Sequence, residues 1–316
     1  MNIQGALTTT LAIAALTLSG CPKGTPQLNA WVSGGEGFDT TSWWVDTGAE
    51  VVVFDAQFTP EIAEAMIADI RAQTASPIRY LVVTHPNPDK FNGAEAFSAI
   101  GAEVVASADT VAAMPDVHAY KEAYFVSVGM FEAGSYPAMP SIDIVFDDSM
   151  TLDLDGAFDI DLVVLDNPGV TVTQTVGLMP GAVVVGDLVA GAAHAWLEGG
   201  IVEGMPQPDI ALWVEALHEV SELTEGDAIV YPGRGVPGLV VDTVPAQQAY
   251  LLEMESIVGG YVDGLDDPMA DLTSGNAGTH YSNITAEAEA AFPNHSLSYL
   301  VTYGVYGLAL QTAAEY

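Results

Sequence analysis

Three short apolar runs in this chain each stop abruptly at residues suited to chemistry. Leu81-Val82-Val83 runs into Thr84-His85-Pro86-Asn87-Pro88-Asp89-Lys90-Phe91-Asn92-Gly93. Ala182-Val183-Val184-Val185 runs into Gly186-Asp187-Leu188, and Ala228 to Tyr231 into Pro232-Gly233-Arg234-Gly235. A short, fully apolar run bounded by turn residues reads as a buried strand. Loops at the ends of such strands are where α/β proteins place their reactive groups. The chain must therefore fold so that three strand ends meet.

The segments between fit that demand. Trp43-Trp44-Val45 and Val51 to Phe54 are strand-forming runs separated by the turn Asp46-Thr47-Gly48. Pro60 opens a helix with Ile62, Met66 and Ile70 on one face. A second helix follows Gly93, then a strand from Glu103 to Ala106. Val117 to Phe131 has helical spacing, with Tyr120, Tyr124 and Phe131 read as packing residues and a substrate lid as the competing reading. From Ile142 to Val185 the pattern turns to strands punctuated by Asp, Gly and Pro. Beyond residue 209 it is helical again around the 228–231 strand, ending in an apolar helix from Leu297 to Leu310. The order predicts an α/β (α+β) fold: two similar halves packed sheet to sheet, an αββα four-layer sandwich rather than two separate domains.

Charge excludes several partners. The 316 residues carry 42 acidic and 6 basic side chains, a net charge of −36, while half of them are hydrophobic. Such a chain can bury a core, but it repels nucleic-acid phosphates and anionic membrane surfaces. Self-repulsion at −36 is relieved by ions within a Debye length, which shrinks from about 10 Å at 0.1 M to about 3 Å at 1 M. The melting temperature is expected to rise as NaCl goes from millimolar to molar; a flat or falling curve in a thermal melt series would refute this.

One cysteine, Cys21, excludes an internal disulfide framework. It follows the apolar stretch from Ala6 to Gly20, which is short for a bilayer span. Leu18-Ser19-Gly20-Cys21 resembles the lipobox of bacterial lipoprotein signal peptides, although no Lys or Arg precedes the apolar stretch. The resemblance implies a signal peptide over 1–20 and lipid on Cys21. A tether over 21–27 would follow, then one folded domain over 28–316 with a C-terminal helical extension. It also implies export to a bacterial cell envelope and contact with a membrane through that lipid.

The three strand ends together resemble the metallo-β-lactamase fold superfamily. That family carries T-H-x-H-x-D-H-x-x-G after one strand, an isolated histidine, G-D after a later strand and a terminal G-H-G or G-H-K. Phe54-Asp55 matches its early strand, and Phe97 to Ser107 the helix-to-strand step after the motif. The likeness spans roughly residues 28 to 258. It implies a sandwich of the metallo-β-lactamase type and, where the ligands are complete, zinc that ionises water and polarises a substrate.

Here the ligand set is broken. His85, Asp89 and Asp187 stand at three of the family's seven ligand positions. The other four are Asn87, Lys90, Val170 and Arg234. Two of only six basic residues thus fall on former ligand positions, a coincidence of about one in three thousand for random placement. Without metal, Asp89 and Asp187 would repel each other in a recessed site. Lys90 and Arg234 supply the missing positive charge, and each is expected within ion-pair reach of Asp89 or Asp187. His194 and Trp196 in GDLVAGAAHAWL are pocket candidates by a likeness to relatives with H-x-W-L, with a structural role for His194 as the competing reading.

Two functions remain open on the sequence. One is a binding or structural protein with no cofactor. The other is a divergent hydrolase using His85, Asp89, Lys90, Asp187 or Arg234, either with one weakly held zinc or by metal-free His85 and Lys90 chemistry. A protein partner or small ligand is not named by the sequence.

Overall fold

The fold comes from a computed structural model that describes residues 26–316. The signal peptide and Cys21 lie outside the described residues, as does the tether apart from Pro26 and Gln27. The first half builds β1 (Asn29–Val32), β2 (Thr41–Asp46), β3 (Val51–Phe54), α1 (Pro60–Gln73), β4 (Ile78–Val82), α2 (Pro88–Phe91), α3 (Ala94–Ser98), β5 (Glu103–Ser107), α4 (Ala108–Ser127) and β6 (Ile144–Phe146). The second builds β7 (Ser149–Thr151), β8 (Asp161–Val164), β9 (Thr175–Met179), β10 (Ala182–Gly191), β11 (Gly200–Val202), β12 (Met205–Gln207), α5 (Ile210–Leu223), β13 (Ile229–Gly235) and β14 (Gly238–Leu239). The helices α6 (Val240–Asp263), α7 (Pro268–Thr273), α8 (Ala277–Ala291) and α9 (Tyr299–Ala313) follow.

Strands β1 to β6 form one sheet in chain order, antiparallel through β3 and parallel beyond it. The other sheet runs β14-β13-β10-β9-β8-β7, with β10 and β13 parallel. Alternation along the strands makes the layers, because successive side chains point to opposite faces. Val52 and Phe54 meet Val184, Ile229 and Tyr231 between the sheets. Val51 and Val53 face outward onto Ala63, Met66 and Ile70 of α1. Val183 and Val185 face the opposite way, onto Trp213 and Leu217 of α5 and Leu251 and Met254 of α6. The result is a helix–sheet–sheet–helix sandwich. Fully burying one such side chain stabilises by about 1.5–3 kcal/mol.

The α4 helix differs from its expected extent. It starts at Ala108, where the Ser107 side chain accepts from the Thr110 amide, and passes through Pro115. Thr110, Met114 and Val117, on the turns either side of that proline, are buried, and Met114 packs in the outer core of the first sheet. Phe131 lies beyond the helix end and packs edge-on against Phe58 and Tyr136. Among the described residues no helix is long and apolar enough to cross a membrane.

Candidate functional site

The three strand ends converge at the edge of the inter-sheet layer. After β4, Thr84 is fixed by Asp55, whose Oδ1 accepts from the Thr84 amide at 3.0 Å and its hydroxyl at 2.9 Å. Asp55 holds a left-handed backbone at φ 70°, an uncommon conformation for a residue with a side chain. Pro88 at the first position of α2 makes Asp89 and Lys90 consecutive residues of one tight turn. Asp187 follows Gly186, at φ 52°, where the pairing of β10 with β13 shifts register. The facing position on β13 must be glycine: a Cβ on Gly233 would overlap the Asp187 carboxylate. Arg234 comes next, on β13.

These side chains form one buried ion-pair cluster. Lys90 Nζ lies 2.8 Å from Asp187 Oδ1, 2.9 Å from Asp89 Oδ2 and 3.9 Å from Asp55 Oδ2. Arg234 donates from Nη1 to Asp187 Oδ2 and from Nη2 to Asp89 Oδ2 at 3.0 Å. Its Nε donates to the Phe38 carbonyl at 3.0 Å, and Nη2 also reaches Thr40 Oγ1 at 3.1 Å. Thr40 in turn donates to Asp89 Oδ2 at 2.7 Å.

The charges respond to this packing. Burial pushes the Asp187 carboxyl up, but Arg234 and Lys90 outweigh it and hold it well below the usual carboxylate range. Asp89 is likewise lowered, burial being overcome by Lys90 and Arg234. Lys90 and Arg234 are raised despite burial, chiefly by Asp187 and Asp89. Asp55 goes the other way: burial dominates and raises it.

Comparison with known proteins identifies the fold that carries these strand ends. The model of the metallo-beta-lactamase superfamily matches residues 35–234. The chain belongs to the metallo-β-lactamase superfamily. No curated protein sequence matches it. Among solved structures, a metallo-beta-lactamase from Pontibacter korlensis is similar at TM-score 0.54 and 19% identity, covering 73% of this chain and 96% of that one. The metallo-beta-lactamase FIM-1 from Pseudomonas aeruginosa, in its mono-zinc form, is similar at TM-score 0.50 and 20% identity, covering 68% of this chain and 84% of that one. At those identities the likeness is one of fold.

The zinc of a metallo-β-lactamase does not fit the residues present. Among the described residues no group of three or more His, Cys, Asp or Glu side chains is arranged to hold a metal ion. The Lys90 ammonium bridges Asp89 and Asp187, so a cation already stands between the two surviving carboxylates. His85 is fully buried, its Nδ1 2.9 Å from Thr84 Oγ1, while Nε2 has no hydrogen-bond partner and lies 3.7 Å from Asp187 Oδ2. Val170, at the isolated-histidine position, packs in the apolar layer between the second sheet and its helices.

Asn87, Asp89, Asp187 and Arg234 border a cavity with Phe38, Phe58, Pro88, Lys121, Phe125 and Trp196. His85 and Lys90 do not border it, and both are wholly buried. Of the two pocket candidates, Trp196 lines the cavity and His194 does not. His194 is enclosed instead against Tyr250, His295 and Phe292, with Nδ1 3.2 Å from the Tyr250 hydroxyl. Burial, helped by His295, pulls its imidazole down to about 4.

A second buried ion pair was not foreseen from the sequence. Lys121 of α4 pairs with Glu198, whose Oε2 also accepts from Trp196 Nε1 at 2.9 Å and whose Oε1 accepts from the Tyr306 hydroxyl of α9. The Lys121 ammonium sits 4.9 Å from the Trp196 ring centre. A signal existed: Lys121 is another of the six basic residues, and scarcity marked it as it marked Lys90 and Arg234. Thr40 and Phe38 carried no such mark, since they enter through a loop far off in sequence.

Proposed function

We propose that this chain is an exported, lipid-anchored metallo-β-lactamase-fold protein in which an ion-pair cluster stands in for the zinc centre. Its role is binding or structural rather than zinc hydrolysis. The observation that carries the reading is the position of Lys90, which touches both carboxylates that would otherwise share a metal. A lysine ammonium is a permanent donor and no ligand while protonated, and its charge opposes metal entry. Superfamily membership would make any remaining activity hydrolytic. The metal-free route through His85 and Lys90 draws no support from the geometry, because neither side chain borders the cavity where a substrate would sit.

Metal analysis tests the reading. Protein purified without chelator is expected to hold far less than one zinc per chain and to keep its melting temperature in EDTA. Near-stoichiometric zinc whose removal lowers the melting temperature would overturn it. The anchor is tested separately by mass spectrometry of the mature protein, expected to begin at a lipid-modified Cys21. An unmodified peptide running through residues 15 to 25 would refute the anchor and leave the cluster reading intact.

A further inference from the structure

The cavity beside the cluster has the chemistry of a cation cage. Phe38, Phe58, Phe125 and Trp196 supply four aromatic faces or edges around it. Phe58 meets Phe38 edge-on at 5.0 Å and Phe125 at 5.1 Å between ring centres. The two bordering cations are already engaged, Arg234 by Asp89 and Asp187, and Lys121 by Glu198.

One bordering acceptor is not part of these pairs. Thr40, Lys90 and Arg234 all meet Asp89 through Oδ2, which leaves Oδ1 outside the ion-pair cluster. The Asp89 side chain is only 9% exposed. Oδ1 is thus the oxygen of this carboxylate left for a donor entering from the cavity, where a charge-assisted hydrogen bond is stronger than a neutral one.

Charge balance points the same way. In the two buried networks Asp55, Asp89, Asp187 and Glu198 face Lys90, Lys121 and Arg234, one carboxylate in excess. A monocation would balance the set with all four carboxylates ionised. The net charge of −36 draws cations toward the protein and opposes anions. The cavity volume is about 30 Å³, against roughly 10–15 Å³ needed for one water on the same measure. That admits a ligand of only a few heavy atoms.

Resting on the binding role proposed above, we infer that this cavity takes a small primary alkylammonium ion, with an N–H on Asp89 Oδ1 and its carbons among Phe38, Phe58, Phe125 and Trp196. A charge-assisted hydrogen bond would orient the ammonium, and the ring faces would attract it. The left-handed backbone at Phe38 and Asp39, with φ of 60° and 50°, presents the Phe38 ring to this cage. The Phe38 carbonyl, held by Arg234 Nε, ties that turn to the ion-pair cluster.

The test titrates zinc-free protein with ethylammonium chloride at an ionic strength fixed by NaCl, read by saturation-transfer NMR on the ethyl protons. Saturable transfer from aromatic protons is expected, with ethanol and acetate at least about tenfold weaker because each lacks the charge-assisted donor. Tetramethylammonium, which has no N–H and more bulk, should also be about tenfold weaker. Asp89→Asn should weaken ethylammonium about tenfold. Phe125→Leu, which leaves every charged group in place, should weaken it several-fold through the lost ring. Non-saturable transfer, equal binding of ethanol, or unchanged binding in folded Phe125→Leu would each overturn the inference. If Asp89→Asn does not fold, Phe125→Leu and the ethanol comparison decide. Zinc in the purified protein would count against the binding role itself, whereas failure of zinc-free protein to bind ethylammonium would count against this ligand alone.

Discussion

Arg234→Ala is expected to cost about 3–5 kcal/mol of stability at neutral pH, the range for removing one partner of a buried ion pair. The guanidinium is 6% exposed and bonds Asp187, Asp89, Thr40 and the Phe38 carbonyl. An exposed pair would cost only about 0–1 kcal/mol, so urea unfolding separates the two situations cleanly. The loss should depend on pH with a definite sign. The folded Asp187 and Asp89 carboxyls are depressed below their unfolded values. Their contribution is therefore present above the ordinary carboxylate range and is lost as pH falls through the lower folded values. The gap between wild type and Arg234→Ala should be widest near pH 7 and should narrow below about pH 4. Adding Asp187→Asn to Arg234→Ala should recover part of the loss, because charge and missing partner leave together. A neutral effect of Arg234→Ala at pH 7 would refute the ion-pair account.

The second large effect is expected at Glu198. Glu198→Ala strands the Lys121 ammonium inside the protein and removes the acceptor of Trp196 Nε1 and the Tyr306 hydroxyl. About 3–5 kcal/mol should be lost again. Here the damage should spread to the C-terminal helix, since α9 presses its glycines on this segment. A Cβ at Gly307 would overlap the Glu198 backbone, so the helix seats without a side chain between them. Hydrogen exchange should accelerate across α9 in Glu198→Ala more than across α1, which makes no part of this contact. The paired change Lys121→Met with Glu198→Leu should be far milder than either single change, because apolar replacements of a whole buried pair are often neutral or stabilising. Equal exchange in α1 and α9, or a double variant as unstable as Glu198→Ala, would overturn the claim that this pair fastens the helix.

The ease with which these positions were found differs for physical reasons. Val51 to Phe54 and Ala182 to Val185 announce buried strands by composition alone, and the two sheets follow from them. Lys90 and Arg234 were legible because they stand at marked places in motifs and because basic residues are so rare. Glu198 was not, being one of 42 acids with nothing in its neighbours to separate it from a solvated carboxylate. Phe38 and Thr40 reach the cluster only through tertiary folding of the β1–β2 connection. The likeness to H-x-W-L made His194 a pocket candidate beside Trp196, with a structural role as the competing reading. The bridge between Ala193 and Ser296 turns that segment toward the C-terminal helices instead.

The burial of the cations also fixes where the folded protein can be cut. Among the described residues the basic side chains are Arg71, Arg79, Lys90, Lys121 and Arg234, and the last three are inside. A protease that cleaves after lysine or arginine meets only Arg71, on a helix, and Arg79, on a strand, at the surface of the folded domain. Scission after Lys90, Lys121 or Arg234 requires the cluster or the α4–α9 junction to come apart first. Tryptic peptides ending at those three residues thus act as a clock for the opening of the site, with no label attached.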